Sequence, residues 1–419
     1  MENITENERV VITGMGTVNA IAGDPLEFAA ALKDGSCGIG PVTRFDTTAF
    51  RTHNGAEVKD FHPRALLPPE FSLKRVSRAD AFALVAAFQA LSQAGLYPVP
   101  ESLRERTGTV IGGGAGGLPE AEAFYQDYLR RGGGRGRFSR LATVACAAHA
   151  NAIATQFGLY GPKATIMTAC SSGATAIGLG RDLIRTDAAE AMIVGGAEPL
   201  CRVTFASFNA LQAVDPGYCR PFSGNRAGLT LGEGAGILIL ESLAGARARG
   251  AAILGEVLGY GVTCDSHHMT APDTGASGAV RAIRAALADA GIPPDAVDYI
   301  NAHGTATPPN DLMETRAIKA VFGPRAGRIP VSSTKSMHGH TLGASGALEA
   351  VVSVLAITER FIPPTIHCET PDPECDLDYV TTGARSGTPG IVLSNSFAFG
   401  GNNTAVVFGC WRDEGRGRG

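Results

Sequence analysis

The stretch Ile166-Met167-Thr168-Ala169-Cys170-Ser171-Ser172-Gly173 constrains this chain more than any other. A β-branched, apolar run stops at a cysteine, and a helix of small residues begins at once. That helix, Gly173 to Arg185, carries Ala174, Ala176, Ile177, Leu179, Leu183 and Ile184. A cysteine at a strand-to-helix junction lies where unpaired backbone N–H groups and the positive end of the helix dipole favour its thiolate. The same N–H groups can hold an oxyanion formed on a substrate carbonyl. Taken alone, a cysteine is most often a small buried hydrophobe. Cys170 reads as a nucleophile only if the rest of the chain supplies partners.

Three stretches do. In Asn301-Ala302-His303-Gly304-Thr305-Ala306-Thr307 a histidine ends a short strand before a turn. In Ser332-Ser333-Thr334-Lys335-Ser336-Met337-His338-Gly339-His340 small residues surround a lysine and two histidines. Asn395 to Asn403 is a glycine turn after the apolar Ile391-Val392-Leu393. Each has an ordinary structural explanation, but four such strand ends can converge on one pocket when their loops share a sheet edge.

The pattern around them is alternating α/β. Arg9 to Gly14 reads as a buried strand ended by glycine, with Gly16 to Ile21 turning into a helix that carries Phe28, Ala31 and Leu32. Arg44 to Pro69 is irregular, Ala79 to Ala94 is a helix stopped by Gly95, and Thr109 to Ile111 is a strand before a glycine turn. The second half echoes this: a strand at Ile253 to Tyr260, a helix at Gly278 to Ala290, and a strand at Val297 to Asn301. Ala191 to Val194 and Ile237 to Leu240 are apolar on both faces, as strands covered by helices must be. The expectation is a layered αβαβα fold of two duplicated halves, 1–250 and 251–410, with a disordered tail at 411–419.

Composition narrows the setting. With 419 residues, 44% hydrophobic and 18% charged, the chain can bury a large core. A net charge of −4 argues against a general nucleic-acid binder. Nine cysteines without any C-x-x-C pair offer neither a metal nor a disulfide framework. The first residues lack an apolar signal region, and no membrane-length apolar run follows, so a reducing cytoplasm is the expected setting.

Together, Thr-Ala-Cys-Ser-Ser-Gly at Cys170, Ala-His-Gly-Thr-Ala-Thr at His303, Lys-Ser-Met-His-Gly-His at Lys335 and His340, and Phe-Ala-Phe-Gly-Gly at Phe399 resemble the β-ketoacyl-acyl-carrier-protein synthases. The resemblance runs from about Arg9 to Phe408, and it implies a five-layered thiolase-like fold and decarboxylative Claisen condensation. Cys170 would carry the acyl group, with the N–H groups of Cys170 and Phe399 as oxyanion hole and Phe399 as gate. His303 and His340 would polarise the malonyl thioester, supported by Lys335. Thr305, Thr307 and Thr270 would bind the phosphopantetheine arm, and Ala115 and Leu229 the substrate. A monovalent cation would sit near Asn301, Glu349, Asn395 and Ser396. No cofactor is implied beyond the phosphopantetheine of an acyl carrier protein, which would dock on Lys74, Arg75 and Arg78, with Arg135 and Arg137. The partner chain would be an identical copy or a chain-length-factor-like subunit.

Departures from the fatty-acid pattern point to a specialised polyene or aryl-polyene pathway. They are Phe222-Ser223, Arg226-Ala227-Gly228-Leu229, Ala398 and Asn402. The alternative is housekeeping fatty-acid elongation. A chain-length factor would lack the nucleophile, and a thiolase would carry a second cysteine in the glycine-rich turn, where Phe397 to Gly401 has none.

Overall fold

The computed structural model describes Glu6 and residues 8–133 and 138–412. Arg135, Arg137 and nearly all of the expected tail therefore lie outside the described residues.

Ten strands carry the architecture: β1 Val10–Asn19, β2 Thr107–Gly112, β3 Lys163–Ile166, β4 Ala191–Glu198, β5 Gly234–Ser242, β6 Gly255–Cys264, β7 Tyr299–Asn301, β8 Pro330–Ser332, β9 Ile391–Ala398 and β10 Asn402–Gly409. Their spatial order is β8-β7-β9-β10-β6 followed by β1-β5-β4-β2-β3. Counted within each half, both runs have the same order, third-second-fourth-fifth-first, laid out as mirror-ordered sheets. Pairing senses repeat too. β2 is parallel to β3 and β4 as β7 is to β8 and β9, and the remaining neighbours are antiparallel. The two sheets join only where Val11 and Ile12 meet Glu256 and Gly255.

The helices repeat with the strands. Arg78–Gln93 (α1), Ala148–Phe157 (α2) and Ser172–Arg185 (α3) precede β2, precede β3 and follow β3. Ser277–Asp289 (α4), Pro308–Phe322 (α5) and Ser345–Thr358 (α6) take the matching places around β7 and β8. α1 covers the outer face of the first sheet and α4 that of the second, while α3 and α6 cross between them, giving five layers. Small residues let α3 and α6 approach closely: a Cβ on Gly173 would lie 2.8 Å from Ala347 N, and one on Gly346 2.7 Å from Ala174 N. α6 is mostly apolar and buried from Ser345 to Ile357, as an inner-layer helix must be, with Glu349 its one charged residue in that span.

One element differs from the sequence reading. β1 does not stop at Gly14 but runs to Asn19. Its glycines are contact points rather than turns: a Cβ on Gly14 would meet Ala90 O at 2.1 Å, and one on Gly16 would meet Ala86 O at 1.9 Å, both on α1. The helix that follows starts later, at Pro25, capped by the Asp24 side chain on Glu27 N–H.

Candidate active site

The duplicated topology places the chemistry. Cys170 lies at the entrance to α3, and His340 at the matching entrance to α6. His303 follows β7 directly, and Phe399 follows β9. All four line one cavity of about 280 Å³, together with Thr270, Thr305, Thr307, Leu229 and Phe208. Lys335 stands behind this wall, 0% exposed.

Cys170 is held on a strained turn, because Ala169 before it takes φ 51° in a short 3-10 segment. The Phe399 N–H points at its sulfur. Burial pushes the thiol up to about 12, against the pull of Lys335 and that N–H, with Glu198 and Glu349 adding to the rise. The expected helix-end thiolate is thus outweighed by desolvation, and Cys170 rests as a thiol. The Phe399 ring stacks on Phe208, centroids 5.6 Å apart and planes 18° from parallel.

Both histidines are 1–2% exposed, their rings 5.4 Å apart and nearly perpendicular. The Lys335 ammonium spends its three protons on the His303 carbonyl (2.6 Å), His303 Nδ1 (3.4 Å) and Glu349, with which it forms a wholly buried ion pair. His340 Nδ1 accepts from Leu342 N–H (3.2 Å) and the Ser345 hydroxyl (2.7 Å). With Nδ1 an acceptor in each ring, each neutral imidazole carries its proton on Nε2. Burial, then the Lys335 charge, lowers both well below the ordinary histidine range, so the neutral form is the one present near pH 7. His338, outside the candidate set, turns away: Gly339 at φ 71° breaks the chain between the two, and His338 Nε2 meets Thr334 Oγ1 at 3.0 Å.

Glu314 and Asp311 could be surface charges on sequence grounds, yet both are 0% exposed. Glu314 accepts the N–H groups of His303 and Gly304, each at 2.8 Å, and so fixes the end of β7. Asp311 accepts Phe222 N–H at 2.8 Å. The signal for Glu314 was its α5 position, but burial of a carboxylate is not written in local pattern.

Other candidates move. Ala115 is buried but does not line the cavity, and its N–H is held by Glu198. In the small-residue stretch from Leu141 to Ala148, Ala142, Ala145, Cys146 and Ala147 are exposed. Arg78 is not a free docking cation. Its Nε and a terminal nitrogen bind Glu233 at 3.0 and 2.6 Å, a second bond goes to Val58 O, and the guanidinium lies 4.7 Å over the Phe82 ring. Lys74 and Arg75 are exposed. At the cation candidates, Asn395 falls on the opposite face of β9 from Ser394 and Ser396, and its amide donates to Glu314 at 3.1 Å. Ser394, paired with Asn301, joins the group. Asn301 Oδ1, Glu349 Oε2, Ser394 Oγ, Asn395 Oδ1 and Ser396 Oγ are all buried without hydrogen-bond partners. These oxygens fit a hard monovalent cation, which would add fixed positive charge behind the histidines. Among the described residues no cluster of three His, Cys, Asp or Glu side chains could hold a metal.

Two histidine donors, a buried thiol and an N–H-lined cavity define an acyl-transfer site in which a thioester carbonyl is polarised without a charged acid. Models of the β-ketoacyl synthase N-terminal and C-terminal domains match residues 7–246 and 254–369, and the chain belongs to the β-ketoacyl synthase family. It is an acyltransferase that forms a carbon–carbon bond by condensation. The 3-oxoacyl-[acyl-carrier-protein] synthase 2 of Synechocystis sp. is 45% identical over 410 residues, 96% of this chain and 98% of that protein. Among solved structures, the ishigamide ketosynthase/chain length factor superposes with a TM-score of 0.92 at 38% identity, covering 96% of this chain and 99% of that one. A type II PKS acyl-carrier protein in complex with its ketosynthase, bound to the hexaketide, gives 0.88 at 32%, covering 96% and 99%. No helix among the described residues is long and apolar enough to cross a membrane.

Proposed function

We propose that this chain condenses malonyl groups onto acyl chains held on Cys170, both delivered by an acyl carrier protein, in a specialised type II polyketide pathway. The observation that carries the chemistry is the pair of Nε2–H histidines facing the same cavity as the cysteine. Cys170 attacks the acyl thioester, the N–H groups of Cys170 and Phe399 hold the oxyanion, and the thiol proton leaves on the departing pantetheine thiol. Malonyl thioester then binds with its carbonyl on His303 and His340. Loss of CO₂ leaves an enolate on those two donors, its carbon attacks the acyl–Cys170 ester, and the released thiolate regains a proton from solvent. Neutral donors suit this step, because an imidazolium would stabilise the departing carboxylate as well as the enolate. Lys335 holds His303, and Thr305 and Thr307, hydroxyls 2.8 Å apart, with Thr270, bind the pantetheine arm at the cavity mouth. No cofactor enters beyond that arm.

The fold likeness to the ishigamide ketosynthase supports the pathway, and Leu229 offers the acyl chain an apolar wall in the cavity. The likeness to the Synechocystis synthase favours a second reading, fatty-acid elongation. That relative's name and the solved carrier complex support a carrier-protein partner, and the exposed Lys74 and Arg75 offer it a basic docking place. The edge position of β3 in the sheet, followed at once by exposed Met167, supports a second chain there, a copy or a chain-length-factor-like subunit. The halves divide near residue 250, and the nine thiols suit a reducing cytoplasm. Loading of Cys170 with acyl carriers of graded length tests the pathway: Leu229→Phe, on the cavity wall, shortens the longest accepted chain and spares a short one. An identical length profile in wild type and variant contradicts an acyl chain lying along that wall.

A further inference from the structure

The buried groups the mechanism leaves unused centre on Glu198, at the end of β4. It is 0% exposed, yet its carboxyl accepts three backbone N–H groups: Gly114 (2.9 Å), Ala115, and Gly343 (3.0 Å). Two of these donors belong to the loop after β2, and the third lies 145 residues further along the chain from Glu198, in the Leu342–Ala344 turn that enters α6. The residue next to Gly343, Leu342, gives the N–H that makes His340 Nδ1 an acceptor. One carboxyl therefore bridges the loop carrying Ala115 and the turn that fixes the His340 tautomer. The fit is tight: a Cβ on Gly343 would stand 2.7 Å from Glu198 Oε2 and from Gly113 Cα. A histidine reaches the same loop from the other side. His149 on α2 is 1% exposed, its Nδ1 is 2.6 Å from Asp80 of α1, and its Nε2 has no partner and would lie 3.3 Å from a Cβ on Gly113. Burial raises the Glu198 carboxyl to about 7, and the three N–H groups and the nearby His149 act to keep it ionised.

We propose that Glu198, backed by the His149–Asp80 pair, is a positioning residue that ties the Ala115 loop to the turn orienting His340, so that condensation depends on it and loading of Cys170 does not. The inference rests on the assignment of Cys170 and His340 made above. It follows from geometry: the carboxyl's three hydrogen bonds end on the Gly114–Ala115 loop and on Gly343, at His340's Nδ1 side, and none on the Ala169–Ser171 turn that holds Cys170. It meets the Cys170 thiol only as a charge opposing ionisation, so its removal does not slow loading. A glutamine at 198 keeps one acceptor oxygen and turns an NH₂ toward a backbone N–H, whereas leucine removes every acceptor.

The test uses full-length protein and two separate readouts, acyl transfer from an acyl carrier to Cys170 by intact mass, and turnover of malonyl carrier by the loaded enzyme. Glu198→Gln loads at close to the wild-type rate and condenses roughly tenfold slower, the size of one lost charge-assisted hydrogen bond, with kcat falling and KM for malonyl carrier unchanged. Glu198→Leu condenses slower still, and His149→Gln, which keeps the fold if leucine does not, gives a smaller loss in the same half-reaction. Equal losses in loading and condensation, or condensation by Glu198→Gln at the wild-type rate, overturn the proposal. Wild-type protein that takes no acyl group on Cys170 overturns instead the assignment beneath it, and the proposal with it.

Discussion

Lys335→Met strips a buried carboxylate of its ion-pair partner and His303 of its Nδ1 donor in one change. Lys335 and Glu349 are both 0% exposed, and Glu349 Oε2 already has no hydrogen-bond partner. Removing one member of such a pair costs about 3–5 kcal/mol, because the survivor is left charged in a dry site. Glu349 has an escape. Burial first, with Lys335 and Ser396 pulling back and Glu314 pushing further, puts it at about 7, so without Lys335 it takes up a proton at neutral pH. A carboxyl raised above its unfolded value is a liability that grows as pH climbs toward the folded value. In wild type that growth stops near pH 7 and in the variant it continues, so the deficit of the variant widens between pH 7 and pH 8, by up to about 1.4 kcal/mol. The partner change Glu349→Gln in the same chain removes the stranded charge and restores most of the stability. It does not restore malonyl decarboxylation, because His303 Nδ1 still lacks its ammonium. Denaturant midpoints at both pH values and decarboxylation rates check the two claims separately. A Lys335→Met protein with the wild-type midpoint, or a double variant no more stable than the single one, refutes the reasoning.

Lys74→Glu with Arg75→Glu raises the KM for carrier-bound substrate several-fold at low salt, an effect that fades as salt screens it, while Arg78→Glu lowers the denaturant midpoint by breaking its bonds to Glu233. An unchanged KM, or an unchanged midpoint for Arg78→Glu, contradicts this division. The buried histidines set the acid side of the stability curve. His338 is lowered to about 3 by burial and by Lys335, so its contribution is whole above the unfolded value of 6.5 and is lost as pH falls from there toward 3. The bound is about 5 kcal/mol. His303 and His340 act in the same direction. Unfolding midpoints at pH 7.5 and 5.5 should therefore differ, and equal midpoints contradict the burial argument.

Much of this was legible in the sequence because the signals were local. The strand-to-helix junction at Cys170, the strand end at His303 and the repeat of helix and strand patterns each sit within a few adjacent residues. Gly14 was misread because a glycine in a strand reports either a turn or a close neighbour, and only the packing of α1 against β1 distinguishes them. Arg78 looked like a free surface cation because its partner Glu233 lies 155 residues away. Ser394 was missed because its pairing with Asn301, across 93 residues of sequence, shows only in the sheet register. The thiol of Cys170 depended on a balance the motif cannot express, the helix end favouring the anion and full burial favouring the acid.

The most direct measurement is intact mass of the chain after acyl carrier protein and then malonyl carrier protein are added. Wild type gains one acyl group, on Cys170, and loses it to product when malonyl carrier arrives. Cys170→Ala never gains it, while His303→Ala and His340→Ala gain it and keep it. Product formed at the wild-type rate by Cys170→Ala, or by either histidine variant, contradicts the division of labour between thiol and imidazole donors.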